Sequence, residues 1–174
     1  MNHPAALALL ALLAGGPAAA ESLDWHAAPA ENLEAIDVET IGRARETLDM
    51  AAYALTDWAV MDALAAAGSR GVAVRIVLDG SQFAPKNAAA HILALARADN
   101  VAIRIRPSHS GDIMHMKAYL VDARLLRTGS ANFSPSGLKR QDNDLLTTTA
   151  PAAVAAFERT FEAIWDRADA GPTP

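Results

Sequence analysis

Residues 115–132 read HMKAYLVDARLLRTGSAN, and four side chains in this stretch suit one chemistry. His115 and Lys117 stand two apart on a predicted strand over His115–Val121, so both point to one face. Ser130 and Asn132 repeat that spacing just after Gly129. Asp122 and Ala123 fall where a turn would bring a second strand, Leu125–Gly129, back beside the first. Tight pairing then gathers imidazole, ammonium, hydroxyl and amide around one point. An imidazole can attack phosphorus and carry it covalently. Lys117 offers positive charge to the non-bridging oxygens of a phosphodiester, and Asn132 can donate hydrogen bonds to them. Gly129 permits close backbone approach. Fixed donors of this kind need no metal, and the histidines lack the spacing of a zinc site.

Other chemically able residues read more plainly. Tyr53 and Trp58 are expected in the core rather than as base-stacking groups. Tyr119 shares the parity of His115 and Lys117, so it either lines the site or packs beside it. His91 lies in a helix and reads as structural. His26 and His109 default to the surface, although the polar loop PSHSGD around His109 stands close before the motif and can border a cleft.

The elements that must hold these groups follow from hydrophobic spacing. A helix is predicted over Ala30–Leu48 (Leu33, Ile36, Ile41, Ala44, Leu48) and a buried strand over Leu48–Leu55. Thr56 is the expected cap of a helix over Trp58–Ala67, stopped by Gly68 and Gly71. Strands follow at Val72–Leu78 and Val101–Arg106, with a helix over Pro85–Ala98 between them. Strands near His115–Val121, Leu125–Gly129 and Asp144–Thr149 come next. Pro151 starts a last amphipathic helix through Phe157, Phe161, Ile164 and Trp165. Helices alternate with strands early and a hairpin-like pair comes late. The expected fold is α/β, a mixed sheet flanked by helices on both faces.

A chain of 174 residues suits one domain, here residues 21–174. With no cysteine, disulfides and thiolate metal sites are excluded. The start, MNHPAALALLALLAGGPAAA, has an apolar stretch at Leu7–Leu13 too short to span a bilayer. Gly15, Gly16 and Pro17 break it, and Ala18-Ala19-Ala20 offers a small-x-small cleavage site before Glu21. Residues 1–20 therefore read as a secretory signal peptide, giving a secreted or periplasmic protein. No later stretch is long enough for a membrane helix. Net charge is −5, yet Arg70–Arg140 holds eleven Lys/Arg against four Asp/Glu, while the remainder holds four against sixteen. Gathered on one face, such an excess would focus an anion; spread over solvated surfaces, it would not.

The pattern H-x-K-x4-D-x6-G-S-x-N is filled at every fixed position by His115, Lys117, Asp122, Gly129, Ser130 and Asn132. It resembles the motif of the phospholipase D superfamily. The similarity extends upstream through IGRARETLDMAAYALTDWAVMDALAAAGSRGVAVRIVLD and downstream through NFSPSGLKRQDNDL, covering nearly all of residues 21–174. The single-domain size looks most like the small bacterial endonucleases of that superfamily. The resemblance implies a phospholipase D/nuclease-like fold, a phosphohistidine intermediate on His115, and phosphate binding by Lys117, Ser130 and Asn132. It also implies an acidic residue, after the asparagine, that orients the histidine. The gap-free match for it is Asn143, so Asp142 or Asp144 is the expected substitute. Asp122 is expected to hold the turn or a salt bridge rather than join the chemistry.

A mechanism of this type uses two imidazoles, one attacking and one protonating the leaving oxygen. The chain has three lysines, Lys86, Lys117 and Lys139, and only Lys117 lies two after a histidine. The second half-site is therefore expected from another copy, in a homodimer with a composite active site. No cofactor is expected. The leading reading is a metal-independent, nonspecific endonuclease on DNA or RNA. The alternative is a phospholipase D that converts phosphatidylcholine-type lipids to phosphatidate, though no clear interfacial helix supports it. A non-catalytic binding module comes third.

Overall fold

The computed structural model describes residues 21–82, 86–109 and 111–171. The leader read over residues 1–20 and the Pro85 helix start lie outside them. The elements run β1 (Leu23–Ala28), α1 (Leu33–Gly42), β2 (Thr47–Ala52), α2 (Trp58–Ser69), β3 (Ala73–Asp79), α3 (Lys86–Ala96), β4 (Val101–Arg106), β5 (Lys117–Val121), β6 (Leu125–Thr128), α4 (Pro135–Lys139), β7 (Asn143–Thr148), α5 (Pro151–Trp165) and β8 (Asp169–Ala170).

The strands form one eight-stranded sheet in the order β1-β7-β6-β5-β2-β3-β4-β8. β2, β3 and β4 are parallel, with α2 and α3 as the crossovers that parallel pairing requires. β5 enters antiparallel beside β2 and continues antiparallel through β6, β7 and β1. That reversal positions the motif: the first residue of β5, Lys117, pairs with the last of β2, Ala52. The motif therefore opens at the carboxyl edge of the parallel strands, where open α/β sheets take their ligands.

The alternation of each strand divides the core in two, as the α/β reading expects. Leu48, Met50, Val74, Ile76, Tyr119 and Leu145 face Leu33, Ile41, Leu64 and Leu95 of the first three helices. On the other face Ala51, Val77, Leu120 and Leu126 meet Val154, Phe157, Phe161 and Ile164 of α5.

Several expectations are corrected. α1 ends at Gly42 rather than running on to Leu48. The backbone N–H groups of Arg45, Glu46 and Thr47 instead donate to the Asp122 carboxylate at 2.8–3.1 Å, which draws that segment out toward β2. Asp57, not Thr56, caps α2, its side chain accepting from Val60 N–H. His115 lies in the segment just before β5 rather than on the strand. β1, α4 and β8 were not expected.

Candidate active site

His115 is set in place from two sides. The Asp79 carboxylate, at the end of β3, accepts Met114 N–H at 2.7 Å and the Ser108 hydroxyl at 2.8 Å. It also accepts Ser81 N–H at 2.9 Å. Burial pushes the Asp79 carboxyl up, but the donors from Ser81, Met114 and Ser108 outweigh it and hold the group below its ordinary value. On the other side Tyr53 N–H donates to Met116 O at 2.7 Å. The Tyr53 ring meets the imidazole edge-on, centroids 4.4 Å apart at 62°. Gln82 Nε2 donates to the Tyr53 hydroxyl at 2.9 Å. Tyr53 is thus a wall of the site, not a core residue. Asp79 is not among the sequence-predicted site residues; its signal is a lone acid ending an apolar strand.

Lys117 Nζ lies 3.0 Å from each ring nitrogen of His115 and donates to the His115 carbonyl at 2.9 Å. It also sits 5.0 Å from the centroid of the Tyr53 ring. Burial pulls the lysine below its ordinary value. Imidazole and ammonium are therefore brought together as the motif's spacing requires.

The second arm of the motif arrives from β6. A side chain at Gly129 would stand 2.3 Å from the Asp144 carbonyl oxygen, so glycine is what lets β7 pass this close. Ser130 N–H donates to Asp144 Oδ1 at 3.1 Å, and Asp144 N–H donates back to Ser130 Oγ at 2.9 Å. Ser130 Oγ also donates to Asn143 Oδ1 at 3.2 Å. Asp144 thus holds Ser130; among the described residues no carboxylate reaches the His115 ring. The Ser130 hydrogen bond draws the Asp144 carboxyl below its ordinary value. Phe133 O accepts N–H from Thr56 and Asp57 at 2.8 and 3.0 Å, pinning the Asn132 segment to the start of α2. Asn132 Oδ1 is buried with no hydrogen-bond partner. Beside Ser130 opens a recess of about 390 Å³, lined by Trp25, Ala27, Ala28, Asp142, Asn143 and Asp144.

Other candidates fall elsewhere. Asp122 stands just past the end of β5, five residues beyond Lys117 and about 17 Å away along an extended strand. Its carboxylate holds backbone, as the reading of a turn-keeping role expects. Tyr119 is fully buried and donates to Asp37 Oδ1 at 2.9 Å, so it packs beneath the site rather than lining it. Trp58, expected in the core, is 61% exposed and stacks on His91 at 4.3 Å. His26 pairs with Glu31. Three of the eleven Lys/Arg of Arg70–Arg140 pair, among the described residues, with acids from outside that segment: Arg75 with Asp49 and Glu162, Arg127 with Asp37, Lys139 with Glu34. Among the described residues no group of three or more His, Asp or Glu comes together as a metal site. None of the helices there is long and apolar enough to cross a membrane.

The mixed sheet presents histidine, lysine and asparagine at the carboxyl edge of its parallel strands. The family described as "Cardiolipin synthase, PLD-like domain" matches residues 38–165, and the chain belongs to this family, within the phospholipase D superfamily. It is 37% identical over 106 residues to a phospholipase D of Rickettsia felis, covering 61% of this chain and 50% of that protein. It is 26% identical over 131 residues to a mitochondrial cardiolipin hydrolase of Chlamydomonas reinhardtii, covering 74% and 56%. The chain thus spans about half the length of these curated relatives. Among solved structures, the phospholipase D family member Nuc of Salmonella typhimurium superposes with a TM-score of 0.82 at 23% identity, covering 88% of this chain and 100% of Nuc.

Proposed function

We propose that the chain is a phosphodiester hydrolase that works without a metal through a phosphohistidine, and that its substrate is the backbone of DNA or RNA. The observation that carries this reading is the contact of the His115 imidazole with the Lys117 ammonium at 3.0 Å, on the sheet edge that Asn132 also reaches, its amide oxygen buried without a partner. A ring nitrogen of His115 attacks phosphorus, and the bond to the leaving oxygen breaks. Lys117 and Asn132 meet the charge that develops on the non-bridging oxygens, and Ser130 borders them. The leaving oxygen takes a proton from a second imidazole, that of the partner's His115. Water, deprotonated by the same group, then releases His115. The single H-x-K of the chain is what supports a homodimer with a shared site. The leader supports export, to the periplasm or beyond it.

The lipid reading has its own support in the relatives' names and in the exposed Leu23 and Trp25 of β1. One assay separates the readings. Residues 21–174, with and without chelator, are given plasmid DNA, RNA and phosphatidylcholine vesicles beside a His115→Ala control. Cleavage of nucleic acid that survives chelator and vanishes in the control is expected. Choline release alone supports the lipid reading, and no turnover at all leaves a binding module. Loss of activity with chelator would show the mechanism to be wrong. Light scattering is expected to give a dimer; full activity from a monomer at nanomolar concentration removes the composite site.

A further inference from the structure

Beneath the two arms of the motif lies a charged group that the proposed chemistry does not use. Arg127, on β6, is the largest of the fully buried side chains. Its Nε and Nη2 each donate to Asp37 of α1 at 2.9 Å, a two-pronged pair with both side chains 0% exposed. The remaining prong, Nη1, donates to the backbone carbonyl of Lys117 at 2.8 Å. The guanidinium also lies 4.6 Å from the centroid of Phe133, the residue after Asn132. Asp37 is held in turn by the Tyr119 hydroxyl. A buried ion pair is a poor device for stability, since hydrophobic groups of like volume often do as well. A planar fork that reaches one catalytic arm by hydrogen bond and the other by ring contact does something an apolar side chain cannot.

We infer that Arg127, oriented by Asp37, is a positioning residue that sets the backbone of Lys117 against the segment bearing Asn132 and so fixes the distance between ammonium and amide. This inference rests on the phosphodiesterase reading above. Lysine at this position keeps the charge opposite Asp37, but one ammonium does not reproduce three directed prongs. Misplacement of a catalytic group by about 1 Å lowers rate by roughly 100-fold. The effect falls on kcat, because interactions made only in the transition state are the ones weakened.

Two variants test it, assayed on plasmid DNA and on bis(p-nitrophenyl) phosphate well below their melting temperatures. Arg127→Lys is expected to fold and to lose roughly 10- to 100-fold in kcat with KM changed less than about threefold. The double variant Asp37→Leu/Arg127→Met replaces the pair by apolar volume and is expected to keep the melting temperature while losing kcat to the same extent. A merely structural role predicts the reverse, a lowered melting temperature with wild-type kcat in the folded protein, and that result in either variant overturns the inference. A wild-type chain that cleaves neither substrate overturns the parent reading and this one with it; an active wild type with equally active, folded variants overturns this one alone.

Discussion

Two arginines in this fold make nearly the same contacts and stand in opposite surroundings. Arg127 grips Asp37 where both are out of water. Arg75, on the α5 face, grips Asp49 at 2.6 and 2.7 Å and Glu162 at 2.7 Å, with its side chain 32% exposed. Arg75 also lies over the rings of Phe161 and Trp165. Water screens the outer end of the second network, where Glu162 is 47% exposed and can swing away at little cost, although Asp49 is only 13% exposed. The first has no such freedom, so its geometry is fixed and any missing member leaves a charge without a partner. Rigidity, not net attraction, is what burial adds, and the rigid network is the one beneath the site.

Arg127→Ala should break the contrast most severely. It strands Asp37 in the core and is expected to cost about 3–5 kcal/mol in urea unfolding. A loss no greater than that of Arg75→Ala would mean that burial makes no difference here. Asp122→Ala comes next, at about 2 kcal/mol, because the carboxylate holds three backbone N–H groups. Far from His115, it should leave the kcat of folded protein within about threefold. Burial raises the Asp122 carboxyl, but the N–H groups of Glu46, Thr47 and Arg45 prevail and hold it below its ordinary value of 3.8. Its stabilisation is therefore present above that pH and is lost as pH falls through the lowered value. Melting curves from pH 5 downward should be flatter for the variant than for wild type. Glu162→Gln, in the exposed network, is expected to cost no more than about 0.5 kcal/mol, shrinking further in 1 M salt. The last effect, of similar size, is a gain. Ala123 sits at φ +48°, a region alanine enters reluctantly, so Ala123→Gly should stabilise by about 0.5 kcal/mol after its added chain entropy.

Local pattern carried the central elements. VAIRIR alternates cleanly, and β4 is Val101–Arg106 as expected. The motif named His115 and Lys117 together, but His115 stands before β5, and it is the contacts of Asp79 and Tyr53 with Met114 and Met116 that hold it beside the lysine. What escaped was non-local. Arg127 in a strand reads as a solvated residue; its burial depends on Asp37, ninety residues away in sequence. β1, LDWHAA, is a short stretch without a clear alternation, and its pairing with β7 makes it a strand. α4 is five residues long, with a serine cap and an N-terminal proline as its only signals. Trp58 fits a helix pattern either way round, and nothing local says that its face looks out to solvent.

Asn132 has one further consequence. Its buried amide oxygen is an acceptor without a donor, which lowers the stability of the free fold; on the proposed reading a bound oxyanion is met by the N–H groups of the same amide, and its binding adds to the folded state. Affinity and melting temperature are then two readings of one equilibrium: an oxyanion present at 100 times its Kd adds about 2.7 kcal/mol to the folded state. Heating the protein beside a panel of phosphate esters would rank its ligands without any cleavage being observed.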